Sequence, residues 1–254
     1  MTYFLPLLIF FFGCILGSFF NAVVWRFPRR VRIAARHSIC PNCRHALGWF
    51  DLVPLISFLF LRGKCRYCAK PISWRYPIIE IATGFLLLPP LAIFGMTATM
   101  VVAEVLVLFL ILLFLLDFFS SLLPDEITIP ALIPAVAVSL LLGRGFSAIL
   151  LGGILGAGFF ALQYVLSRGK WIGSGDIRLG AVMGLALGVQ LLALALALAY
   201  IVGALVGIFL VIERRKRWKS QIPFGTFLTA STYLVLLIGA SSGGAEIFFS
   251  WFGF

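Results

Sequence analysis

The chain has 254 residues, 62% of them hydrophobic and only 11% charged, with a formal net charge of +11. Uncharged runs of about 18–22 residues recur along it, far beyond what a soluble core of this size requires, so the composition indicates an all-α polytopic membrane protein. The positive charge is no sign of nucleic acid: nothing in the basic stretches resembles a reading helix or a stacking platform. The first predicted span, about Phe4–Val24, is long enough to cross and is read as an anchor that stays rather than a removed signal peptide. It is followed by a segment, residues 26–76, holding eleven Lys/Arg against one acid, Asp51. Cytoplasmic loops collect such charge, which places the N-terminus outside and this loop inside, where it also attracts anionic lipid heads.

Seven more spans are expected: about Pro77–Gly95, Ala98–Phe119, Ile127–Leu142, Phe146–Leu166, a short Asp176–Gly188, Leu191–Ile212 and Phe224–Gly239. With about eight crossings, 19 of the 20 Lys/Arg fall on one side, including the patch Arg214-Arg215-Lys216-Arg217-Trp218-Lys219, and only Arg144 on the other. Trp25, Trp74, Trp171 and Trp218 all land at predicted cytoplasmic boundaries, as interfacial indoles tend to. The organisation read from this is a first transmembrane helix over 1–25, a basic cytoplasmic domain over 26–76, and a transmembrane catalytic domain over 77–254.

The basic loop carries Cys40-Pro41-Asn42-Cys43 and Cys65-Arg66-Tyr67-Cys68, two C-x-x-C knuckles separated by 21 residues. Four thiolates at that spacing suit a tetrahedral Zn²⁺. A disulfide pair is the alternative, disfavoured in a reducing cytoplasm. His37 and His45 flank the first knuckle and neither is needed as a ligand; Cys14 reads as a packing residue. A loop with few apolar residues builds little core, so a metal staple makes physical sense.

Two carboxylates stand out. Asp117 closes an apolar run, and Asp176 lies on Gly173-Ser174-Gly175-Asp176 at the start of the sixth span. Singly, Asp117 reads as an interfacial mark and Asp176 as a helix N-cap. Together they reach the same face, and Gly173 and Gly175 let backbone approach a substrate. Two carboxylates within hydrogen-bonding reach share one proton and can run aspartyl-protease chemistry. Asp176, at a helix N-terminus, is expected to be the ionised partner and Asp117, among Leu and Phe side chains, the protonated one. Arg178 is read as a phosphate or carboxylate contact, or as one more inner-face cation.

The ordered set Gly17-Ser18-Phe19-Phe20-Asn21, Arg26-Phe27-Pro28, the two knuckles, Val53-Pro54-Leu55-Ile56-Ser57-Phe58, Gly63-Lys64, Arg75-Tyr76-Pro77 with Glu80, Leu123-Pro124-Asp125-Glu126-Ile127-Thr128, Gly173-Ser174-Gly175-Asp176 and Ile222-Pro223-Phe224-Gly225 closely resembles the bacterial type IV prepilin peptidases, bifunctional leader peptidase/N-methyltransferases of the inner membrane. The resemblance implies catalytic aspartates at Asp117 and Asp176. It also implies cleavage of a prepilin or pseudopilin leader on the cytoplasmic side after a glycine, then methylation of the new amine with S-adenosylmethionine. Gly63 and Lys64 are the residues put forward for that cofactor. Two departures from the family pattern are Arg178, where lysine is usual, and Thr226, where proline is frequent.

A presenilin-like protease shares the G-x-G-D, but Pro130-Ala131-Leu132 precedes that loop here instead of following it. A metal transporter should repeat polar residues at mid-membrane depth along several spans, and these spans are nearly bare there. A prepilin peptidase that cleaves without methylating also fits the residues.

Overall fold

The structure is a computed structural model, and it describes residues 4–31, 38–213 and 223–241. The basic patch 214–219 with Trp218, His37 and the apolar tail fall outside these residues. The chain divides into two units, residues 1–91 and 92–254.

In the first unit, α1 (Phe4–Arg26) packs against α3 (Arg75–Leu86). The crossing is close because small residues face each other there. A Cβ on Gly13 would lie 2.7 Å from the Cα of Gly84, and one on Gly17 would lie 2.8 Å from the Cα of Glu80. Small residues are what let helix backbones approach in lipid, where no hydrophobic force drives helices together. Between the two helices runs the cysteine-rich loop, with a short α2 (Ile56–Phe60); after α3, the prolines of α4 (Leu88–Phe94) follow a break at Leu87.

The second unit is a helix bundle: α5 (Ala98–Ser120), α6 (Asp125–Leu141), α7 (Phe146–Ser167), α8 (Ser174–Ile212) and α9 (Gly225–Ala240). α8 breaks at Gly188, whose φ of 70° and ψ of 177° only glycine adopts easily. The expected sixth and seventh spans are thus two arms of one hairpin. Gly152 and Gly156 of α7 meet Gly184 and Gly180 of the first arm, while Tyr200 of the second arm donates a 2.9 Å hydrogen bond to Gln163 near the other end of α7. A Cβ on Gly152 would lie 3.0 Å from the Cα of Gly188, so the turn sits six residues, about 9 Å, below the start of α7.

Such a recessed turn strands helix-end carbonyls. Ser139 Oγ donates to Leu185 O at 2.6 Å and Ala186 O at 3.0 Å, and the Arg144 guanidinium donates to Ser139 Oγ at 2.9 Å and to Ala186 O. Arg144, the outlier of the charge count, is therefore a cap. Non-helical backbone at membrane depth is tolerated only where protein satisfies it in this way.

Among the described residues, five helical segments are long and apolar enough to cross a bilayer: Phe4–Arg29, Arg75–Phe94, Ala98–Ser120, Phe146–Ser167 and Ser174–Ile212. α9 is apolar but shorter, and α6 has 17 residues with two internal prolines. All eight predicted segments fall on helices; six of them lie within the five qualifying helices, since Ser174–Ile212 holds the sixth and seventh together, and the fourth and eighth fall short. Trp25, Trp74 and Trp171 stand at or beside helix ends.

Candidate active site

Asp117 lies in the last turn of α5 and Asp176 in the first turn of α8, at 5% and 7% exposure. They come together at one end of the second unit, where Leu123 lies against both Gly175, beside Asp176, and Gly225, beside the Asp117 carboxyl. Each is held by the start of a helix. Asp176 Oδ2 accepts the Gly173 N–H at 2.9 Å, closing the first turn of α8. Asp117 Oδ2 accepts the Thr226 N–H at 2.7 Å and its hydroxyl at 3.3 Å. The sequence-based contrast between a helix-terminal Asp176 and an Asp117 set among apolar side chains therefore does not hold, because Asp117 also faces a helix N-terminus, that of α9.

Leu123 locks this end together. A Cβ on Gly175 would fall 2.6 Å from Leu123 Cβ, and one on Gly225 would fall 2.9 Å from Leu123 Cδ1 and 3.0 Å from the Asp117 carboxyl. Glycine at 175 and 225 is thus required by space. Gly173 stands differently: it is the N-cap, and its use is the N–H it gives Asp176. Arg178 makes a 2.5 Å ion pair with Asp125 in the first turn of α6, the carboxylate contact expected of it.

In the first unit, the sulfurs of Cys40, Cys43, Cys65 and Cys68 all lie within 4.8 Å of one another. The two knuckles share one backbone pattern. Cys40 N–H donates to His45 O and Cys65 N–H to Lys70 O; Leu47 N–H donates to Ser38 O and Ile72 N–H to Gly63 O. Arg44 and Ala69, each four residues past the leading cysteine, both take positive φ. Sulfurs around a tetrahedral Zn²⁺ with bonds of about 2.3 Å stand roughly 3.8 Å apart, and Cys40 and Cys68 are 4.0 Å apart. The thiols also compete for charge. Burial pushes Cys40 up, but the backbone N–H groups of Cys43 and Asn42 and the neighbouring thiols bring it down to about 7. The Lys70 N–H favours a Cys68 thiolate, yet burial and the other three thiols leave it at about 11. Four thiolates here require a cation, so the cluster fits a metal ion.

Residues 11–94 match the bacterial peptidase A24 N-terminal domain, and residues 104–208 match the type IV leader peptidase family. The chain is 36% identical over 236 residues to a prepilin leader peptidase/N-methyltransferase of Bacillus subtilis (strain 168), covering 92% of this chain and 94% of that protein. The chain belongs to the type IV leader peptidase family. Proteins of the same name from Burkholderia pseudomallei (strain 1026b) and Aeromonas hydrophila are 34% and 30% identical, over 89% and 92% of this chain and 83% and 91% of theirs. No solved structure matches.

The leader-peptidase match encloses Asp117 and Asp176 but ends before α9. Thr226 is consequently the site residue whose role the sequence did not disclose: it stood out only as a departure, and no local pattern ties it to a partner 109 positions away. Of Gly63 and Lys64, put forward for the cofactor, Gly63, at φ 68°, backs onto the ring of Phe58, and Lys64 is exposed.

Proposed function

We propose that Asp117 and Asp176 are the catalytic dyad of an intramembrane aspartyl endopeptidase. It removes the leader of a type IV prepilin or pseudopilin after a glycine, on the cytoplasmic side, and methylates the new N-terminus. The observation that carries the peptidase half is the meeting of these two buried carboxylates, each held by a helix N-terminus. Support for the methyl-transfer half is the leader peptidase/N-methyltransferase name of the relatives. The charge distribution supports eight crossings in the bacterial inner membrane with the N-terminus outside.

Two carboxylates brought within hydrogen-bonding reach share a proton and titrate as a pair. The ionised member takes a proton from water as its oxygen attacks the scissile carbonyl carbon, and the protonated member gives its proton to the carbonyl oxygen. When the tetrahedral adduct collapses, the C–N bond breaks, the first carboxyl passes its proton to the leaving nitrogen, and the second recovers one from a hydroxyl. The donors at Gly173 and Thr226 hold both carboxylates in place through this exchange.

S-adenosylmethionine, when bound, would supply a methyl on a positively charged sulfur to the new N-terminal amine. Cys40, Cys43, Cys65 and Cys68 hold a structural Zn²⁺ that folds the loop.

Intact-mass spectrometry of a prepilin incubated with the detergent-purified protein and S-adenosylmethionine tests the reading. The expected products are the leader-less chain carrying one methyl with the wild type, and no cleavage with Asp117→Asn or Asp176→Asn. Cleavage that survives either substitution overturns the dyad.

A further inference from the structure

The first unit encloses a cavity of about 410 Å³, walled by α1, α3, α2 and both knuckles. Its size lies within the range of small-molecule sites, about 300–1,000 Å³. Its lining is specific. Asn21 is 1% exposed and spends its amide nitrogen on the carbonyls of Gly17 and Tyr76, both at 3.2 Å. Its Oδ1 is buried with no hydrogen-bond partner among the described residues. A buried carbonyl oxygen left so is costly, and it calls for an N–H from outside the chain.

Glu80, 6% exposed, places a carboxylate in the same wall. Its Oε2 accepts the N–H of Leu55 at 2.9 Å, which fixes a rare turn with Leu55 at φ 61° and ψ −49° and a 2.6 Å bond from Ile56 N–H to Pro54 O. Trp25, Phe58 and Tyr76 add flat aromatic faces, and Arg26 adds a guanidinium. A fitting ligand combines an amino-bearing heteroaromatic ring, a positive centre that a buried carboxylate and π-faces attract, and an anionic group for arginine.

We infer that this cavity is where S-adenosylmethionine binds: adenine amine to Asn21 Oδ1, positive sulfur toward Glu80 and the aromatic rings, carboxylate toward the arginines. The inference rests on the methyl-transfer half of the proposed function. It also gives Gly63 a role at one remove. A Cβ there would come within 3.2 Å of Phe58, one of the cavity walls, so Gly63 sets the position of that ring without lining the site.

The test is ultraviolet cross-linking of methyl-labelled S-adenosylmethionine to the full-length wild-type protein in detergent, with the labelled peptides mapped by mass spectrometry. Equilibrium binding of the same molecule to Ala22→Phe and Asn21→Leu accompanies it. Label on peptides carrying Trp25 or Tyr76, displaced by S-adenosylhomocysteine, is expected, with affinity at least tenfold weaker in Ala22→Phe. Ala22→Phe fills the cavity and removes no hydrogen bond, so it stands alone if Asn21→Leu fails to fold; its metal content reports that the cysteine loop is intact. Label confined to α5–α9, or wild-type affinity in Ala22→Phe, overturns the site while methyl transfer by the wild type continues. A wild type that cleaves prepilin but neither binds the cofactor nor transfers a methyl overturns the methyltransferase reading and the site together.

Discussion

At Asp117 the carboxylate accepts from both the backbone N–H and the hydroxyl of Thr226, and proline, frequent at this position in the resembling pattern, supplies neither. Hydrogen bonds to charged groups contribute about 1.5–3 kcal/mol. Thr226→Pro is therefore expected to lower kcat/KM for leader cleavage about 10- to 150-fold. Thr226→Val keeps the N–H and loses only the longer hydroxyl contact, so its fall should stay below about tenfold. Steady-state cleavage assays of both variants check the order; equal losses would mean that the N–H does not position Asp117. Gly175→Ala is a steric case, because its Cβ would meet Leu123 Cβ at 2.6 Å and neither atom sits at the end of a flexible chain. It should impair cleavage while leaving the metal content of the cysteine cluster at wild-type level. The two aspartates were legible in the sequence because each combines an unusual residue type with a span end. The donors that hold Asp117 were not, since hydrogen bonding across 109 residues leaves no periodic trace.

At the level of elements, the knuckles and the α8 hairpin show what a spacing does and does not encode. C-x-x-C twice pointed to four cysteines that the fold brings together, because metal coordination fixes residue type and separation. That both knuckles are the same hydrogen-bonded hairpin, displaced by 25 positions, lies in backbone contacts that differing side chains conceal. Similarly, the short sixth span was legible from its length, but not the packing of α7 on α8 through facing glycines, which periodicity cannot pair. The hairpin makes its own prediction. Gly188→Ala forces a side chain into φ 70° and should lower stability by about 1–3 kcal/mol. Arg144→Met uncovers helix-end carbonyls and should cost a similar amount, about 1–3 kcal/mol. Thermal unfolding in detergent measures both, and cleavage per folded molecule should be retained in each. A wild-type unfolding midpoint for Arg144→Met would show that the carbonyls find other donors.

For the molecule as a whole, the proposed function places its two chemistries in different units of one chain. The metal cluster and the cavity belong to residues 1–91, the aspartates to residues 92–254. Cys40 and Cys65 belong to the cysteine cluster and are also cavity walls, so stripping a metal held there should loosen the cavity. Thiol protons compete with a metal ion, which makes chelation easier as pH falls. A chelator at mildly acidic pH is accordingly expected to abolish methyl transfer before it abolishes leader removal, as intact mass would record: product lacking the leader and lacking the methyl. Simultaneous loss of both would make the loop necessary to the peptidase too. The recessed turn at Gly188 bears on how the chain is made. The first arm of α8, Ser174–Leu187, is 14 residues and about 21 Å long, the shortest of the eight proposed crossings and less than a hydrocarbon core of about 30 Å. A ribosome that has released only this arm offers the insertion machinery nothing it can retain as a crossing. The arm is therefore expected to enter with its successor as a pair, which would bring Asp176 to its place only after the residues beyond Gly188 have been synthesised.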